Sequence, residues 1–130
     1  MKKTFILGLS TLWLFGAIHW QSDFQSAYQK SLQTGKPLFL FIERKSPPCR
    51  WCERMKKTTL SDPAIASYID THFIPVKVAR EEGDFPKELY PRYVPTIYVI
   101  QKQKVIKTIV GYWSPRDFQS DLKDIERSLE

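Results

Sequence analysis

Cysteine is almost missing from this chain. Two occur in 130 residues, Cys49 and Cys52, and that scarcity excludes a fold stapled by a disulfide framework. Histidine is as scarce, with His19 and His72 alone. Two cysteines with these histidines do not supply four ligands at a plausible zinc spacing, so no metal is expected. Charge of one sign is nowhere concentrated. The formal net charge is +6, but Lys2 and Lys3 supply two of those charges and the other basic residues are scattered among acids. Without a basic run or a basic helix face, no nucleic-acid partner is expected. No apolar run reaches the roughly 20 residues of a membrane-spanning helix. Residues 20–130 hold no internal repeat, low-complexity segment or linker. What remains is one domain, and 42% hydrophobic residues are enough for a core of its own.

The first 19 residues differ from the rest. Met1-Lys2-Lys3 is a positive start, and Phe5 to Ile18 is apolar apart from Gly8, Ser10, Thr11 and Gly16. This is the pattern of a secretory signal peptide. Ala17 suits a cleavage site but Phe15 does not, so an uncleaved N-terminal membrane anchor stays open beside it. The absence of a cysteine after the run argues against a lipid anchor. Export would place residues 20–130 where disulfides form and persist.

Along those residues the pattern changes period repeatedly. Trp20 to Leu32 has helical spacing, with Asp23 as N-cap, a stripe of Phe24, Ala27, Tyr28 and Leu32, and Gly35 as the stop. Leu38-Phe39-Leu40-Phe41-Ile42 reads as a central strand buried on both faces, with Glu43 at its end. Lys45-Ser46-Pro47-Pro48 is a stiff loop, and a helix runs from Cys49 to about Leu60. Asp62-Pro63 starts another, with Ile65, Ala66 and Ile69 inward. Phe73 to Val78 is a second strand, in which Pro75 marks either an edge or an irregular start. After a polar loop at Arg80 to Gly83, a short helix is expected over Phe85–Tyr93. Ile97–Ile100 and Val105–Val110 form a hairpin, and Ser114-Pro115 caps a last helix with Phe118, Leu122, Ile125 and Leu129 inward. Strands separated by helices imply parallel crossovers for the first pairings, with the hairpin adding an antiparallel edge.

The two cysteines are two residues apart, at the junction of a buried strand and a helix. In a chain with no others, that is the signature of thiol–disulfide exchange. A static disulfide at this spacing would close only a tiny loop and restrict the unfolded chain little. Exchange needs a thiolate, an accessible sulfur and a second thiol to resolve the mixed disulfide. Cys49 at a helix N-terminus, with Arg50 and Arg54 nearby, fits the first role, since such surroundings lower a thiol from its usual pKa of ~8.5. Cys52, one turn later and deeper, fits the resolving role.

The element order, with Gly35-Lys36-Pro37, Cys49-Arg50-Trp51-Cys52, Leu60-Ser61-Asp62-Pro63, Phe73 to Val78 and Val94-Pro95-Thr96 in their places, resembles the thioredoxin-like superfamily. More narrowly it resembles the exported members with a Cys-x-Trp-Cys site, over roughly residues 20–128. The resemblance implies an α/β thioredoxin fold, a mixed four-stranded sheet sandwiched by helices, and disulfide chemistry without a bound cofactor. It also implies a cis Pro95 facing the sulfurs, leaving Val94 free to pair with a substrate strand. Pro48 stands where the familiar site has Trp, and Arg50-Trp51 where it has Gly-Pro, so the reaction type carries over but the potential and partners do not.

Glu43 stands where the superfamily often has a buried acid able to shuttle a proton to Cys52. It could instead face solvent and pair with Arg44 or Lys45. Trp51, between the cysteines, is either a substrate-docking surface or packing for a neighbouring loop. Tyr93, Tyr112 and Trp113 either rim the site or belong to core and lid. Lys56 and Lys57 read as a solvated helix face, and His72 as a helix-end residue. The expected activity is that of a monomeric periplasmic thiol–disulfide oxidoreductase, reducing or exchanging disulfides of exported proteins with electrons from a membrane or periplasmic thiol donor. The alternatives are a disulfide-introducing oxidase or isomerase, and a non-enzymatic binding or assembly module.

Overall fold

The computed structural model describes residues 17–129, and its centre is the strand β1, Leu38–Glu43, every residue of which is buried. The expected signal or anchor at 1–19 lies outside the described residues except for its last three. The other elements are α1 (Phe24–Thr34), α2 (Arg50–Lys57), α3 (Pro63–His72), β2 (Ile74–Ala79), β3 (Thr96–Gln101), β4 (Lys104–Val110) and α4 (Pro115–Ser128). They form a four-stranded sheet in the order β2-β1-β3-β4. Among the described residues no helix is long and apolar enough to cross a membrane.

The alternation of side chains along β1 divides the core in two. Phe39 and Phe41 point to one face, where Met55, Ile69, Phe118 and Leu122 of the surrounding helices, with Phe73 just after α3, close over them. Leu38, Leu40 and Ile42 point to the other, against Phe24 and Ala27 of α1. This explains why the run has no polar member: neither face meets water. Trp20 extends the first core over β2, its ring 6.4 and 6.1 Å from those of Phe39 and Phe41.

The helix starts are those the sequence predicts. Asp23 accepts the Ser26 N–H, Asp62 those of Ala64 and Ile65, and Ser114 that of Asp117. Pro75 does lie on an edge strand, and Gln21 reaches that edge as a one-residue parallel bridge to Val76, its N–H donating to the Pro75 carbonyl.

Three expectations need correction. Only β1 and β2 pair in parallel; β3 runs antiparallel to β1 as well as to β4. The cause is the link between β2 and β3, Arg80 to Pro95: Arg80 and Val94 line one depression with Cys49, so the chain turns back at one end of the sheet. The expected helix over Phe85–Tyr93 is absent. A single 3-10 turn, Lys87–Leu89, forms between Pro86 and Pro91, which cannot donate to a helical ladder. Leu32, expected in the buried stripe of α1, is 48% exposed beside the β3–β4 turn.

Candidate active site

Cys49 is the N-cap of α2, and Cys52 lies one turn in. The two are joined by a disulfide. They are unequal: Cys49 is 4% exposed and its side chain lines an open depression of about 440 Å³, whereas Cys52 is fully buried and does not line it. The Cys52 backbone N–H donates to the Cys49 sulfur at 3.1 Å. Charge on that sulfur would therefore meet an amide and the positive end of the helix dipole.

The loop before Cys49 is held from two sides. Glu81 accepts the N–H groups of Lys45 and Ser46, each at 2.9 Å. Its own backbone N–H, and then those two, keep its carboxyl below the usual glutamate range. Arg44 reaches forward to donate to the carbonyls of Pro47 and Pro48. Two peptide bonds near the site are cis, Ser46–Pro47 and Val94–Pro95. The Val94 carbonyl oxygen stands 3.9 Å from the Cys49 sulfur, and Val94 lines the same depression. Cys49, Trp51 and Val94 thus line one depression, with Pro95 next to Val94 in the chain.

Glu43 is 1% exposed, which excludes a solvent-facing strand end. It extends β1 in step with Phe39 and Phe41, on the face that α2 covers. Its partner is neither Arg44 nor Lys45. The Lys56 ammonium stands 2.5 Å from Oε1, off the line of a well-formed hydrogen bond, and Oε2 has no hydrogen-bond partner. Lys56 also reaches Glu53 at 3.0 Å. Burial pulls the Lys56 pKa down, but the two carboxylates outweigh it and hold the ammonium above the usual lysine value. Lys56 therefore corrects the reading of a solvated helix face. The signal was present, because Cys52, Met55 and Lys56 share one side of α2 at i, i+3 and i+4.

Trp51 is 46% exposed. It borders the depression, and its ring packs 5.8 Å from that of Tyr112, with Arg50 and Arg54 over its faces. Burdened by a bond with Thr58 and then by Arg54, the Tyr112 phenol titrates below its usual range. Tyr93, 62% exposed, also lines the depression. Trp113 instead packs on the core and donates to the Val110 carbonyl. His72 ends α3, its ring stacked on Tyr68.

A sequence model of the family Thioredox_DsbH, described as "Protein of unknown function, DUF255", matches residues 14–115. An uncharacterised protein of Caenorhabditis elegans is 34% identical over 77 residues, which are 59% of this chain and 10% of that protein. Spermatogenesis-associated protein 20 of Mus musculus is 28% identical over 80 residues, 62% of this chain and 10% of that protein. The chain spans about a tenth of the length of the curated relatives it matches. In structure it is similar to a DsbH oxidoreductase, at 17% identity and a TM-score of 0.73, over 94% of this chain and 93% of the other. A thioredoxin from Thermus thermophilus follows at 16% identity and a TM-score of 0.72, over 84% of this chain and 87% of the other. The fold is that of thioredoxin, with a four-stranded mixed sheet between helices.

Proposed function

The chain belongs to the Thioredox_DsbH family, and on that premise we propose that it is a thiol–disulfide oxidoreductase working through Cys49 and Cys52. One observation carries the reading: of the pair, Cys49 alone lines an open depression, and it does so at a helix N-terminus under an amide donor. In the reductive direction the Cys49 thiolate attacks one sulfur of a substrate disulfide. The substrate S–S bond breaks, and its other sulfur leaves with the electron pair and takes a proton. Cys52 then attacks the Cys49 sulfur, the mixed disulfide breaks, and the second substrate thiol departs. Two electrons have moved to the substrate and the protein is left oxidised. Glu43, buried on the α2 side with Lys56 beside it, is suited to take the Cys52 proton in that second step.

The physiological setting belongs to the same proposal. The apolar start after Lys2 and Lys3 supports action outside the cytoplasm, in the periplasm, on disulfides of exported proteins. A membrane-bound or periplasmic dithiol would then return the enzyme to its reduced form. The test is insulin reduction by dithiothreitol. The protein should accelerate it, Cys49→Ser should abolish the acceleration, and Cys52→Ser should accumulate a mixed disulfide visible by mass. Acceleration that survives Cys49→Ser would overturn the assignment. A reduction potential near ~−270 mV would assign a reductant, and one near ~−120 mV an oxidant.

A further inference from the structure

The depression over Cys49 is lined by Arg44, Arg50, Arg80 and Arg92 and by no carboxylate. Among the described residues, none of these guanidinium groups lies within ion-pair distance of an acid. Each is instead held by a neutral group. Arg44 donates to the carbonyls of Pro47 and Pro48, and Arg80 to that of Arg92 at 3.2 Å. Arg50 lies over the Trp51 ring and Arg92 over that of Tyr93, at 5.9 and 6.0 Å. Acids are close in sequence but engaged elsewhere: Glu81, next to Arg80, turns to the Lys45 and Ser46 amides, and Glu53 turns to Lys56. The result is a concave surface carrying positive charge, with its guanidinium forks positioned and unneutralised, around the sulfur that meets substrate.

Resting on the oxidoreductase reading, we infer that the site selects polypeptide disulfides whose neighbouring residues are acidic. Carboxylates beside the target disulfide would pair with the arginine forks, and Trp51 and Tyr93 would receive the intervening side chains. Four arginines sharing one depression with Cys49, together with the exposed rings of Trp51 and Tyr93, fit a peptide with acids flanking its cystine better than they fit one compact anion. The exchange step is unchanged: the acidic residues take no part in bond making, and dithiothreitol supplies the two electrons in the assay.

Three peptides of one sequence, each closed by one disulfide and flanked by Glu, Ser or Lys, test this with the full-length protein. The Glu peptide should be reduced with a kcat/KM about tenfold above the Ser peptide, as two or three partly exposed ion pairs provide, and the Lys peptide should fall below both. The Glu-to-Ser ratio should drop toward one between ~50 mM and ~1 M salt, where screening shortens to about 3 Å. It should also drop in an Arg80→Gln/Arg92→Gln variant. A ratio of one at low salt, or a preference for Lys, overturns the inference while leaving the oxidoreductase standing. Redox-inert versions with Ser in place of both peptide cysteines separate the two claims. If no peptide is reduced, the enzyme reading fails. Tighter binding of the inert Glu peptide to the oxidised protein, followed by tryptophan fluorescence, would then uphold the charge selection, and equal binding of the Glu and Lys peptides would overturn it.

Discussion

Glu43 and Lys56 form a pair in which the acid has almost no water and the base has some, with side-chain exposures of 1% and 23%. Removing one partner of such a pair leaves a buried charge uncompensated. Lys56→Met should therefore cost roughly 3 kcal/mol in urea unfolding, and adding Glu43→Gln should recover most of it. The pH dependence follows from the raised Lys56 pKa. A base whose pKa is higher folded than unfolded stabilises fully below the unfolded value and loses that contribution as pH climbs through the folded one. Wild-type stability should thus fall more steeply above about pH 10 than that of Lys56→Met, measured by urea midpoint against pH. At this scale the cysteines were legible from spacing, since two residues in between put both on one helical turn. Lys56 was hidden by its identity: a lysine suggests solvent, and only its phase relative to Cys52 and Met55 shows it facing inward.

Elements were legible wherever one local signal dominated. The apolar run of β1 admits no exposed face, and Asp62-Pro63 and Ser114-Pro115 each supply a cap and a preset first turn. The helix expected over Phe85–Tyr93 failed because Pro86 and Pro91 forbid one, and strand direction failed because it depends on where a link ends in space. The β3–β4 turn shows a different conflict. Lys102 and Gln103 both have left-handed backbone, φ 53° and 66°, in a two-residue hairpin loop where Asn-Gly is the favoured pair. Lys102→Asn/Gln103→Gly should therefore stabilise the domain by about 1 kcal/mol, read as a higher Tm with unchanged insulin reduction.

For the whole molecule, the sheet has two unlike borders. β4 leaves Val105, Ile106 and Val110 exposed. On the β2 side, residues 18–21 lie along the strand: Ile18 packs on the core, the His19 backbone N–H donates to Asp70, and Gln21 donates to the Pro75 carbonyl. Covering one border blunts edge-to-edge association. Gln21→Pro deletes the backbone donor without shortening the chain. It should lower Tm and increase concentration-dependent association, followed by calorimetry and light scattering; unchanged values in both would show that this strap contributes nothing.

That strap also has a direction. Gln21 pairs with Val76 in the parallel sense, so residues 18–21 join β2 near its start, beside Asp70, and run toward the end where Arg80 and Cys49 lie. A six-residue strand is about 20 Å long. The described chain therefore enters the domain at the pole opposite the disulfide, about a strand's length from the depression over Cys49. A protein docking over Cys49 would thus meet the β1 and β2 ends and their loops without touching residues 18–21.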